Sequence, residues 1–152
     1  MTPSPNTTTR LSIPEAQRNI INDFQCLENW DERYRYLIDL GRQLNRHSPV
    51  EENTQNRFYG CQSSVWLTIG HHDGVIQLQG HSDSLIVAGL MALLFHVYSE
   101  RNAEDISTLA PAFLIQTGLI DNLSSQRATG IMHMIDHIRC TAAVIADNKG
   151  TI

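Results

Sequence analysis

The chain has 152 residues, 41% hydrophobic and 18% charged, the balance of an ordinary folded domain with one core rather than of a disordered chain. Its formal net charge of −5 argues against a nucleic-acid binder, which carries a basic face. The longest apolar run, Leu85–Tyr98, is interrupted by Gly89 and His96 and is too short to span a bilayer, so no membrane segment is expected.

Residues 1–11 are polar and lack the apolar stretch of a secretory signal, so they are expected as a tail and the cytosol as the compartment. Ser12 and Glu15 have capping-box spacing, with Pro14 in the first turn, and predict a helix to about Leu27 with Ile20, Ile21 and Phe24 on one face. A second helix is predicted from Trp30, where Tyr34, Leu37, Ile38 and Leu44 keep helical period and Gly41 falls near the last turns. The polar stretch 45–56 contains Pro49 and reads as a loop. Arg57–Tyr59 is a candidate edge strand and Gly60–Ser63 a turn. Val65–His71 and Val75–His81 are strand-like and joined by Asp73–Gly74, a hairpin signal. In the second run Ile76, Leu78 and Gly80 alternate with Val75, Gln77 and Gln79, as in a sheet with one buried face.

Ser82–Asp83–Ser84 supplies a cap for a helix over Leu85–Ser99. That helix is apolar on nearly every side and is expected at the centre. Gly89 in its middle costs about 1 kcal/mol against alanine, which implies close approach of another element. Ala103–Leu109 and Pro111–Thr117 read as short helices, the second ended by Gly118. After Ser124 a last helix carries Ile131, Met134, Ile135, Ile138, Ala142 and Ile145 as its buried stripe. Asn148–Gly150 ends it, and 149–152 is expected as a tail. The sum is one α+β domain over 12–148, a small antiparallel sheet packed against several helices.

Cys26, Cys61 and Cys140 are unpaired by spacing, with no CxxC motif for redox or zinc chemistry. Cys26 and Cys140 fall inside predicted helices, where a free cysteine usually behaves as a small buried hydrophobe, although Cys140 lies off the apolar stripe. Cys61 lies on a turn between Gly60 and Gln62–Ser63–Ser64, a position that is accessible and able to move. Arg127 is the other unusual placement. It sits in the first turn of the last helix, where a cation opposes the macrodipole by a few tenths of a kcal/mol. By itself that is compatible with a solvated side chain.

The stretch Gly60–Cys61–Gln62–Ser63–Ser64–Val65–Trp66 resembles the GCQSxVW signature of the SufE/CsdE family of sulfur-acceptor proteins. Trp30–Asp31–Glu32–Arg33–Tyr34 followed by Leu37–Ile38–Asp39–Leu40–Gly41, then Gly80–His81–Ser82–Asp83 with Ile86–Val87–Ala88–Gly89–Leu90, and finally Leu123–Ser124–Ser125–Gln126–Arg127 with Gly130 resemble three further segments of that family, in family order, from about residue 20 to 146. Gln62 and Ser63 are closer to the SufE branch than to CsdE-like members. His81 departs from the aspartate found in many members.

The resemblance implies a fold shared with iron–sulfur scaffold proteins of the IscU/NifU type. It implies that Cys61 accepts sulfur as a persulfide from a pyridoxal-phosphate cysteine desulfurase, which it stimulates, and passes it to an iron–sulfur assembly scaffold. The pyridoxal phosphate belongs to the partner, so the chain is expected to need no cofactor or metal of its own. Arg57, Tyr59 and Gly60 before the thiol, and Gln62, Ser63 and Ser64 after it, are expected to shape the partner surface. Asp83 joins them unless helix capping alone explains it. Trp66 and Tyr34 are expected in the core. No Lys, Arg or His adjoins Cys61 to lower its pKa, which leaves Arg127 or the partner to activate it. Other readings are a CsdE-type acceptor for another pathway, a cysteine-nucleophile hydrolase or peroxidase, and a passive cluster scaffold. The sequence leaves a homodimer open.

Overall fold

A computed structural model describes residues 11–150, without the side chains of 149 and 150. Of the expected tails, 1–11 and 149–152, residues 1–10 and 151–152 lie outside the described residues. Leu11 packs against the core, and helical backbone continues to Gly150.

Helix α1, Ile13–Gln25, begins at the expected capping box: the Glu15 N–H donates to Ser12 Oγ and the Ser12 N–H to Glu15 Oε1. It buries Ile13, Ala16, Ile20 and Phe24 at helical spacing. Helix α2, Trp30–His47, starts at Asn29, whose side chain accepts from the Glu32 N–H. It runs three residues past the last periodic position, Leu44, because residues 45–47 are polar yet still helix-compatible.

Strands β1 (Arg57–Phe58), β2 (Val65–His72), β3 (Val75–Ser82) and β4 (Arg101–Asn102) form an antiparallel sheet in that order. The β2–β3 hairpin turns at Asp73 and Gly74, both at positive φ (52° and 79°), the geometry that an Asp-Gly pair favours. Ile76, Leu78, Gly80 and Ser82 face inward on β3, as the alternation predicts. Strand β4 carries no pattern of its own and is held by pairing with Val75 and Ile76.

Helix α3, Leu85–Tyr98, is central and buries ten of its residues. Its cap is Ser84, whose hydroxyl accepts from the Val87 N–H. Helix α3 packs across α2 at two glycines. A Cβ on Gly89 would lie 2.1 Å from the Leu37 carbonyl oxygen, and one on Gly41 2.2 Å from that of Leu85. This is the close approach that Gly89 implied. Helices α4 (Ala103–Thr108) and α5 (Phe113–Gln116) and a 3₁₀ turn (Ile120–Asn122) lead to the long α6, Ser125–Gly150. Helix α6 buries Ile131, Met134, Ile135, Ile138 and Ala142. No helix among the described residues is long and apolar enough to cross a membrane.

Two expectations are corrected. Cys26 is not a buried hydrophobe: it is the C-cap of α1 and exposed, as is Cys140. Helix α1 ends two residues early, and a capping residue faces water. Trp66 is not in the core either. Its neighbours Val65 and Leu67 are buried, so alternation turns Trp66 to the opposite face. There it lies in a cross-strand row with Arg57 and His81. Tyr34 does pack against the core, and its hydroxyl donates to the Asn122 carbonyl.

Candidate functional site

Cys61 lies on the connection between β1 and β2, and that connection rests along one face of α6. Gly130, His133 and His137 are spaced by three and four residues and so share that face. They meet the incoming chain in reverse order. The His137 ring packs against Phe58, with centroids 5.6 Å apart. His133 Nδ1 donates to the Gly60 carbonyl at 3.1 Å. A Cβ on Gly130 would stand 2.8 Å from the Cys61 Sγ. The missing side chain at position 130 is therefore the socket that holds the thiol.

Gly60 also needs its missing side chain. A Cβ there would fall 2.5 Å from the Phe58 ring and 3.0 Å from the His133 Cβ. The far end of the connection is anchored firmly. The Ser64 N–H donates to Asp83 Oδ1 at 3.1 Å, the Asp83 N–H to the Ser64 carbonyl at 3.2 Å, and the Ser82 hydroxyl to the same carbonyl at 2.8 Å. Asp83 is thus a tie on the start of β2, and Ser84 rather than Asp83 caps α3.

Cys61 is half-buried, and burial pushes its thiol up from 9.0 to about 11, with no neighbouring charge offsetting it. At pH 8 about one such thiol in a thousand is ionised, so the resting group is a poor nucleophile. It opens onto a pocket of about 260 Å³ lined by Gln62, Ser63, Ser124, Arg127 and Gly130. The structure therefore brings four of the expected site residues together: Cys61, Gln62, Ser63 and Arg127. The Arg127 N–H donates to the Ser124 hydroxyl, the expected cap. Its exposed guanidinium has no ion pair or hydrogen bond among the described residues.

Arg57 and Tyr59 stand on the outward face of the sheet. The Arg57 guanidinium is sandwiched between the Tyr59 and Trp66 rings at 5.4 and 5.3 Å, and Trp66 stacks on His81 at 5.0 Å. Tyr59 is 71% exposed, and the Arg57 Nε is buried without a partner. His81 accepts from the Val50 N–H at Nδ1, and its Nε2 lies 3.4 Å from Glu52. Among the described residues no three or more His, Cys, Asp or Glu side chains are grouped to hold a metal.

Residues 18–142 match the model of the SufE family, described as an Fe-S metabolism associated domain. Among solved structures, the chain is similar to the solution structure of a hypothetical protein from Thermus thermophilus. The TM-score is 0.72 at 16% identity, over 90% of this chain and 99% of that one. At that identity the likeness is one of fold.

Proposed function

Because the chain belongs to the SufE family and to iron–sulfur metabolism, we propose that it is a sulfur acceptor that works through a persulfide on Cys61. The observation that carries the reading is the Cys61 socket itself. A thiol on a short connection, next to a pocket with one free cation among the described residues, suits transient sulfur carriage. The donor is a pyridoxal-phosphate cysteine desulfurase, which holds the cofactor, so this chain needs none. The receiver is an iron–sulfur assembly scaffold. A single thiolate cannot hold a cluster by itself, which favours a carrier over a passive scaffold. A reducing cytosol suits its three free cysteines.

In the transfer step the Cys61 thiolate attacks the terminal sulfur of the donor persulfide. The donor S–S bond breaks, the donor cysteine leaves as a thiolate, and a new S–S bond forms on Cys61, with no net oxidation. The Cys61 proton leaves to solvent or to a base of the donor. The half-buried thiol must first leave its socket, which couples reactivity to docking. Gln62 and Ser63, which line the pocket beside the thiol, and Arg57, Tyr59 and Ser64, which flank it along the chain, would meet the donor.

Intact-mass analysis after incubation with a cysteine desulfurase and cysteine tests the reading. One sulfur is expected on the chain and none on Cys61→Ser; sulfur on Cys26 or Cys140 instead would overturn it. Arg127 would face the persulfide anion once Cys61 has moved. Arg127→Ala should melt like the unaltered chain, because the exposed side chain has no hydrogen bond or ion pair to lose among the described residues, and should take up sulfur about tenfold more slowly, the effect of one charge-assisted hydrogen bond. An unchanged uptake rate would remove Arg127 from the mechanism.

A further inference from the structure

From Tyr59 to Ser63 the chain makes no backbone–backbone hydrogen bond among the described residues. Within this stretch the Gly60 carbonyl is the one backbone group with a protein partner there, and that partner is His133 Nδ1. Beyond Ser64 the chain is locked to Ser82 and Asp83. Before Tyr59 it is locked by the pairing of β1 with β2 and by Phe58 against His137. The Cys61 segment is thus a short bridge between two fixed ends, tied at one point to an exposed side chain of α6. That tie is one residue from the thiol and one turn along α6 from its socket.

We propose that His133 is a positioning residue that clasps the Cys61 segment onto α6, assisted by His137 through Phe58, and so sets how often the thiol leaves the Gly130 socket. The segment packs against Gly130 and the core but makes no other backbone hydrogen bond among the described residues, and a region held by so few hydrogen bonds opens locally at low cost. Loss of one net hydrogen bond from the closed form then shifts the open population by about two- to tenfold. The clasp is strong enough to keep the thiol covered between encounters and weak enough for a docking partner to break. A partner that offered its own donor to the Gly60 carbonyl, or filled the space beside His133, would release Cys61. This role bears on sulfur transfer only through the acceptor reading above, but the clasp can be tested without any sulfur.

The test is the rate of iodoacetamide labelling at each cysteine, followed by peptide mass mapping. Cys26 and Cys140 are exposed and serve as internal references in the same molecule. His133→Ala is expected to speed labelling of Cys61 about two- to tenfold and leave Cys26 and Cys140 unchanged. An asparagine amide nitrogen reaches roughly where histidine Nδ1 lies, so His133→Asn should restore the slow rate. A glutamine reaches instead to the Nε2 position, so His133→Gln should label as fast as His133→Ala. The clasp is overturned if His133→Ala labels at the original rate. It is also overturned if His133→Asn is as fast as His133→Ala, since packing rather than the hydrogen bond would then set the rate. A clasp that passes with no sulfur uptake at Cys61 would refute the acceptor reading alone.

Discussion

Gly89→Ala is expected to destabilise the domain by at least about 3 kcal/mol, the upper part of the range for overpacking a core. The added Cβ would sit 2.1 Å from the Leu37 carbonyl oxygen, 2.7 Å from its carbon and 3.1 Å from its Cα. All three are backbone atoms of α2, so no rotamer change relieves the clash. Either α2 moves away from α3 or α3 bends. Both elements belong to the one core, where Leu37, Ala88, Leu90, Met91 and Leu94 are almost fully covered. Separating the two helices by even a fraction of an ångström costs many contacts at once. The helix-propensity gain of about 1 kcal/mol for alanine over glycine offsets only part of this. In a chain of this size, a loss of about 3 kcal/mol lowers the melting temperature by about 10 °C. Thermal unfolding followed by circular dichroism measures it. A variant that melted like the unaltered chain would show that α2 and α3 are not in contact at this point.

The role of that glycine is legible in the amino-acid pattern, because a helix that is apolar all round must be central and glycine there demands a close neighbour. The hairpin is equally legible. Asp73–Gly74 fits a turn that needs positive φ at both residues, and the alternation of β3 fixes which side faces the core. Cys61 stands out by its place in a turn and by the four ordered segments around it. Trp66 follows from the same period-two logic. Val65 and Leu67 are the better core residues on either side of it, so a strand that buries both must turn Trp66 outward. Aromatic size favours burial, but on a strand the alternation overrides it, and the expectation of Trp66 in the core fails for that reason.

Other features are not legible, each for a physical reason. Strand β4 is two residues long and polar, and it exists only because Val75 and Ile76 present an unpaired edge. Cys26 sits where α1 stops, and a difference of two residues at a helix end decides whether a side chain is covered. The α6 clasp joins residues 73 positions apart through an exposed histidine, which no hydrophobic pattern marks. A weaker signal exists: Gly130, His133 and His137 follow Arg127 at intervals of three, three and four, on one face of a helix whose buried stripe lies elsewhere. A glycine and two histidines on that face imply a surface that receives something small and polar, such as a backbone segment.

That face yields the largest functional effect. Gly130→Ala should free the Cys61 thiol, because the new Cβ would stand 2.8 Å from Sγ and 3.4 Å from the Cys61 Cα and Cβ. The sulfur is the end of a short side chain, so it moves rather than the helix, and the fold is kept. Burial raises the pKa of this thiol, so a displaced thiol loses that elevation and moves from about 11 back toward 9.0. Water stabilises the thiolate, and removing cover therefore favours the deprotonated form. Two units correspond to about a hundredfold more thiolate at pH 8. A less basic thiolate is a weaker nucleophile, which takes back about an order of magnitude, so ionisation alone leaves about a tenfold faster reaction. Easier access adds to this. The measurement is the pH profile of iodoacetamide labelling at Cys61. Its midpoint should fall by about one to two units in Gly130→Ala, from about 11 toward 9.0, while the profiles of Cys26 and Cys140 stay in place. An unmoved midpoint would mean that the socket does not suppress ionisation, and the coupling of reactivity to docking would then need another cause. If the midpoint moves, the same variant should accept sulfur from a desulfurase with less dependence on donor concentration, because the step of leaving the socket has already been taken.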